Sequence, residues 1–214
     1  ARFLSPDPSM TPMHQLRNIQ RRTAALLVLA GLWAPFAVLA QTAPPALSKV
    51  RISTSLGDFE AELYADKAPK TVANFLQYVN DKHYDGTIFH RVIAGFMVQG
   101  GGYDAQYRER KTRAPVQHEG RQALAAGLKN TTGTLAMART NDPQSATSQF
   151  FINVVDNAFL DPSFQSFGYT VFGKVTSGMD VVQKIRTTPT GAGGPFPSDV
   201  PRTPVIIQSI TLLK

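Results

Sequence analysis

The feature that most constrains this chain is a strict alternation of side chains. Val50, Ile52 and Thr54 interleave with Arg51, Ser53 and Ser55, and Phe59, Ala61 and Leu63 then interleave with Glu60 and Glu62. A period of two is the strand period, so each run turns one face to a core and the other to water. Gly57-Asp58, between the runs, reads as a tight hairpin turn. Comparable short runs recur at residues 87–93, 96–99, 133–138, 149–154, 170–175 and 205–212. Helical spacing is rarer. Pro69 stands where a first helical residue would, and Val72, Phe75, Leu76 and Val79 follow at i, i+3, i+4 and i+7, which predicts a helix over 69–81. A second helix is predicted over 179–186, with Ser177 as its cap and Val182 and Ile185 inward. Residues 188–203, rich in Gly and Pro, read as a surface loop. Eight strands and two helices in one unbroken block, without a repeat or linker, predict a mainly β fold: a closed eight-stranded antiparallel β-barrel capped by two α-helices.

The first forty residues have a different character. Arg17, Arg21 and Arg22 precede an uncharged apolar stretch over 23–40, which ends Val38-Leu39-Ala40 before Gln41. That order is the order of a secretory signal peptide, with cleavage expected after Ala40 and export to the periplasm. The competing reading is a retained membrane anchor, against which Gly31 and Pro35 interrupt a continuous helix. The expected division is an unstructured upstream extension over 1–12, a signal peptide over 13–40, a flexible mature N-terminus over 41–48 and one domain over 49–214.

Composition removes several classes of function. The chain has no cysteine, so disulfides, thiolate catalysis and Cys-ligated metal centres are excluded. Residues 41–214 hold 18 basic and 14 acidic side chains, an ordinary solubility charge that gives no case for nucleic acid. Of the four histidines His14, His83, His90 and His118, no two lie at helical ligand spacing, so no metal or other cofactor is expected. No GxSxG elbow marks a hydrolase. The run Tyr107-Arg108-Glu109-Arg110-Lys111-Thr112-Arg113 is the one basic cluster, either a solvated loop or a patch for acidic segments and anionic surfaces.

Residues 89–101 read Phe-His-Arg-Val-Ile-Ala-Gly-Phe-Met-Val-Gln-Gly-Gly. Strand parity puts Phe89, Arg91 and Ile93 on one face, and Met97 with Gln99 on one face further along. An arginine among apolar strand residues needs a partner or solvent. With Gly133-Thr134-Leu135-Ala136-Met137-Ala138-Arg139, Ser148-Gln149-Phe150-Phe151-Ile152-Asn153, Asn157-Ala158-Phe159-Leu160-Asp161 and Val171-Phe172-Gly173-Lys174-Val175, this segment resembles the cyclophilin family of peptidyl-prolyl cis–trans isomerases. The resemblance extends over residues 49–214, keeps the order of the motifs and is greatest to the bacterial exported type.

The resemblance implies a barrel with an outer groove for an X-Pro segment of an unfolded or proline-containing client. It implies Arg91 as the catalytic residue and Phe96, Met97, Phe151 and Leu160 as the proline pocket. Gln99 and Gln149 would flank the groove, and Ala138 and Thr140 would form its backbone rim. Phe159 stands where many members have Trp, which argues against tight cyclosporin binding, and Tyr169 stands where they have His. The implied protein is a monomer without cofactor, nucleic acid or stable membrane association, and it assists the folding of exported chains. A non-catalytic proline-peptide module or holdase on the same fold is the alternative. Rotation about X-Pro breaks amide resonance against a barrier of roughly 18–20 kcal/mol, without making a bond. A grip on the ring and a donor aimed at the prolyl nitrogen therefore suffice.

Overall fold

The computed structural model describes residues 47–213. The segments read as an upstream extension and a signal peptide, and residues 41–46 of the expected flexible terminus, lie outside the described residues. Leu47 and Ser48, expected to be flexible, already belong to the first strand.

The alternating runs become β1 (Leu47–Thr54) and β2 (Gly57–Tyr64), paired antiparallel from Leu47↔Tyr64 to Thr54↔Gly57. Val50, Ile52, Phe59, Ala61 and Leu63 are buried, as alternation requires. The chain continues through α1 (Pro69–Asn80), β3 (Thr87–Ile88), β4 (Arg91–Ile93), β5 (Met97–Gly100), α2 (Gly120–Ala125), β6 (Thr134–Met137) and β7 (Phe150–Asn153). A 3-10 turn (Ala158–Leu160), β8 (Val171–Ser177), α3 (Met179–Arg186), β9 (Thr190–Gly193), β10 (Phe196–Pro201) and β11 (Ile206–Leu213) complete it.

Nine strands form one curled antiparallel sheet in the order β3-β11-β1-β2-β8-β6-β7-β5-β4. The expected ring of eight therefore differs in two ways. The run over 87–93 is divided, because Phe89 and His90 carry the chain from one edge of the sheet, β3, to the other, β4. No ladder joins those two edges among the described residues, so the sheet curls without a hydrogen-bonded closure. Phe89 consequently leaves the face of Arg91. Its N–H bonds to the Val205 carbonyl (2.9 Å), and its ring is fully buried in the core.

One face of the curl holds the main core. Phe75 of α1 packs on Tyr84 (ring centroids 5.1 Å), Phe172 (5.2 Å) and, edge-on, Phe150 (5.6 Å). Tyr84 is wholly buried, and its hydroxyl donates to the Ser148 carbonyl (2.9 Å). Ala68 at the N-cap of α1 has no side-chain oxygen to offer. The cap is supplied from far along the chain by buried Glu119, whose carboxylate accepts from the N–H groups of Lys70 (3.1 Å) and Thr71 (2.8 Å) and from the Thr71 hydroxyl (2.8 Å). A carboxylate there satisfies orphan donors and the positive end of the helix together.

Three further differences from the sequence reading have identifiable causes. The short helix α2 is too brief for periodicity to reveal. Gly178, not Ser177, caps α3, in a left-handed conformation (φ 75°). The stretch 188–203 is no open loop but a hairpin, β9–β10, turned at Gly194-Pro195. It sits against the sheet because Gly193 and Gly194 leave room for Tyr107, while Phe196 packs on Tyr103 (5.1 Å) and His90 (5.3 Å).

Gly178 permits a test of space against backbone strain. A Cβ there would lie 2.6 Å from the Asp58 carbonyl oxygen and 2.7 Å from Phe59 Cα, whereas at Gly127 (φ 89°) nothing lies within 4 Å. Gly127→Ala should cost about 1 kcal/mol from the left-handed backbone alone, and Gly178→Ala about 3 kcal/mol or more, lowering Tm by roughly 5–10 °C. Equal losses in calorimetry would reject the packing argument.

His90 gives a pH test. It is buried (4% exposed), and desolvation, then the neighbouring Arg91 charge, push its pKa from 6.5 down to about 4. The folded chain thus holds His90 neutral, while the unfolded chain takes up a proton as pH falls below 6.5. Stability from this group is complete above pH 6.5 and declines by about 3 kcal/mol as pH approaches 4. His90→Phe, which retains a ring between Tyr103 and Phe196, should flatten the urea midpoint across that window. An unchanged pH slope would show that His90 is not responsible.

Candidate active site

Strand parity builds the site on the sheet face opposite the main core. Val92, Val98, Leu135, Phe150, Ile152 and Phe172 point into the core. The residues between them form a lateral row across β4, β5, β7, β6 and β8: Arg91↔Gln99, Gln99↔Phe151, Phe151↔Ala136, Ala136↔Val171. Met97 stands beside the row, opposite Asn153. A second apolar cluster gathers on this face, with Met97, Ala136, Phe151, Leu160 and Val171 buried and Phe96, Ala138 and Tyr169 packed partly exposed against it.

On this face lies a cavity of about 770 Å³. Arg91, Phe96, Met97, Gln99, Ala138, Gln149, Phe151, Phe159, Leu160 and Tyr169 all line it. Thr140 does not: its N–H donates to the Ser145 hydroxyl (2.9 Å) and its carbonyl accepts from Arg139 Nη1 (2.8 Å), so its backbone is engaged within its own loop. His90, Tyr103, Arg139 and the hairpin residues Phe196 to Asp199 complete the wall, and sequence reasoning gave none of these a role. Gly194-Pro195 was the available signal for the hairpin. Nothing in a single sequence ties that hairpin to Arg91.

Each lining residue is held by identifiable contacts. Arg91 is exposed on the edge strand β4, and its backbone is paired with Gln99. Gln99 Nε2 donates to Gln149 Oε1 (3.0 Å), and Gly102 makes room for the Gln149 side chain, since a Cβ there would lie 2.6 Å from it. The 3-10 turn carrying Phe159 and Leu160 is fixed by buried amides. Asn157 Nδ2 donates to the Phe96 carbonyl (2.9 Å) and to Asn153 Oδ1 (2.7 Å), and Asn153 Nδ2 donates to Asn130 Oδ1 (3.2 Å) and Thr134 Oγ1 (3.0 Å). Buried polar chains with every partner present hold one arrangement. Phe159 stays 72% exposed and stacks on Phe96 (5.6 Å, 24°).

Tyr169 meets Phe151 edge-on (5.5 Å) and carries the Arg139 guanidinium over its ring (4.6 Å). Arg139 Nη2 and Nε both donate to the Gly168 carbonyl (2.9 and 3.1 Å), so that cation is committed and Arg91 remains the open one. His118, which also contacts the Gly168 carbonyl, has its pKa lowered by burial and by the Arg139 and Arg121 charges. Chemically, the cavity offers an apolar floor, an aromatic rim and one exposed guanidinium at its edge. Among the described residues no cluster of three His, Cys, Asp or Glu side chains is placed to hold a metal ion.

Comparison with known proteins assigns the chain to a family. The family model described as "Cyclophilin type peptidyl-prolyl cis-trans isomerase/CLD" matches residues 49–212. A peptidyl-prolyl cis-trans isomerase of Acinetobacter baylyi is 50% identical over 186 residues, covering 87% of this chain and 93% of that protein. Peptidyl-prolyl cis-trans isomerase B of Escherichia coli is 51% identical over 166 residues, covering 76% and 98%. A solved cyclophilin type isomerase of Cryptosporidium parvum, in the presence of the dipeptide Ala-Pro, is similar with a TM-score of 0.60 and 28% identity, covering 78% of this chain and 99% of that one. The chain belongs to the cyclophilin-type peptidyl-prolyl cis-trans isomerases, and isomerization of X-Pro bonds is its activity.

Proposed function

We propose that the cavity beside Arg91 is the catalytic groove, and that the natural substrates are X-Pro segments of polypeptides exported to the periplasm. The observation that carries the first statement is the lateral row in which Arg91, Gln99 and Phe151 stand side by side. It puts a guanidinium at the edge of an apolar floor. In this reading Phe96, Met97, Phe151 and Leu160 grip the proline ring while the preceding carbonyl rotates. As resonance is lost the prolyl nitrogen gains a localised lone pair, and a donor directed at it is felt more in the twisted state than in either planar one. Arg91 is the donor. The Gln99–Gln149 pair and the Ala138 rim orient the flanking chain, and Phe159 and Tyr169 supply aromatic walls.

Export rests on the sequence over 13–40, whose arginines, apolar stretch and small-residue ending have the order of a signal peptide. Protein recovered from an export-competent host should begin at Gln41 by N-terminal sequencing. A full-length species held in the inner membrane would replace this reading with the anchor.

The catalytic assignment is tested at Arg91. A charge-assisted hydrogen bond contributes about 1.5–3 kcal/mol, so Arg91→Ala should lower kcat/KM by roughly tenfold to two hundredfold. The fall should be mainly in kcat, with an unchanged circular dichroism melt because the side chain is exposed. Arg91→Lys should recover only part of the rate, since an ammonium does not reproduce the planar fork. Protease-coupled isomerization of a short X-Pro peptide is the assay. A folded Arg91→Ala protein with near-native kcat/KM would reject Arg91 as the donor.

A further inference from the structure

We infer that a basic groove outside the catalytic cavity is a second docking surface for polypeptide clients, one that takes acidic, Asp- and Glu-rich segments. The groove has a volume of about 470 Å³ and lies between the end of α1, the turn after it and the extended chain over 110–113. It shares no lining residue with the cavity that contains Arg91.

Three of its four lining cations have no ion pair among the described residues. Within the basic run, Arg108 is paired with Asp104 (2.8 Å), and Arg113 is paired with Asp81 through Nε (2.8 Å), its N–H donating to the Tyr78 hydroxyl (2.8 Å). Lys82, Arg110 and Lys111 have no ion-pair partner among the described residues. His83, half-buried on the groove wall, has its pKa lowered by desolvation and by Arg110, and adds no cation at neutral pH. Asp81 is the single lining carboxylate, and Arg113 occupies it. Three positive charges thus remain.

Arg110 is the second observation. Its Nη2 donates to the Asp85 carbonyl (2.9 Å), while its Nε is buried with no hydrogen-bond partner. An unsatisfied buried donor is unfavourable, and an ordinary surface arginine escapes it by swinging into water. Here the guanidinium is fixed in the wall, with part of its fork already used. Its remaining N–H groups and its charge can meet a carboxylate of an entering chain. The concave, aromatic-sided shape admits an extended chain, whereas a flat lipid surface would reach only its rim. The sequence reading left the basic run either a solvated loop or a patch for acidic segments and anionic surfaces, and the groove favours the acidic segment. Held there, a client would present its X-Pro bonds to the catalytic face at raised effective concentration.

The test reads binding alone, so its result does not depend on the catalytic assignment. A short fluorescein-labelled Asp/Glu-rich peptide without proline is titrated with the protein and followed by anisotropy. It should bind, a Gly/Ser peptide should not, and about 1 M salt, where the Debye length is ~3 Å, should abolish the signal. Lys111→Glu and Lys82→Asn (Asn tolerates the left-handed backbone of Lys82, φ 53°) should together weaken binding about tenfold. Turnover of a short X-Pro peptide should not change, and an unlabelled X-Pro peptide should not compete. No binding above the Gly/Ser control, no effect of the two substitutions, displacement by the X-Pro peptide, or tighter binding to phosphatidylserine vesicles than to the peptide would each overturn the inference. Lys111→Glu alone, at an exposed position, serves as the check should the pair disturb folding.

Discussion

The architecture depends on the two-residue period of β4, β5, β6, β7 and β8, which forces neighbouring side chains to opposite faces of one sheet. Val92, Val98, Leu135, Ile152 and Phe172 stabilise the fold, and Arg91, Gln99, Ala136, Phe151 and Val171, each one residue away, make the outer row. The face that carries Arg91 and the core are therefore two sides of the same strands, separated by a hydrogen-bonded backbone. A one-residue slip in register would exchange the two sets. The ladder that secures the core thus also secures the site, and no mobile loop has to deliver Arg91.

Outside the ladder, long-range polar contacts do the positioning. Glu119 caps α1 from a segment far along the chain, and the chain of Asn153, Asn157 and Asn130 ties the turn of Phe159 and Leu160 to Phe96, just before β5, and to β7. These side chains are buried and each finds its partners, so the turn has one position in which its amides are satisfied. Phe159 can stay exposed at the rim because the residues before it hold the backbone.

Much of this was legible in the sequence because it is local. Alternation reveals β1 and β2, helical spacing reveals α1, and the motif around Arg91 is contiguous. What escaped depends on contacts between distant residues. The division of 87–93 into two edge strands follows from the destination of Phe89, bonded to Val205, which no period encodes. The β9–β10 hairpin was hidden among glycines that look like loop but in fact admit Tyr107. Thr140 fell beside the groove in sequence and outside its lining in space, because its backbone groups are satisfied by Ser145 and Arg139.

The position of β11 bears on how such a chain acquires its structure. This C-terminal strand lies between β3 and β1, with Leu213 opposite Lys49 and Ile206 opposite Ile88. Until β11 is in place, β1 has one bare edge and β3 no neighbour in the sheet. Loop closure over that separation is slow, and a bare strand edge invites pairing with other chains. A prolyl isomerase with this topology is itself a late folder, exposed in its nascent state to the misassociation that unfolded polypeptides share.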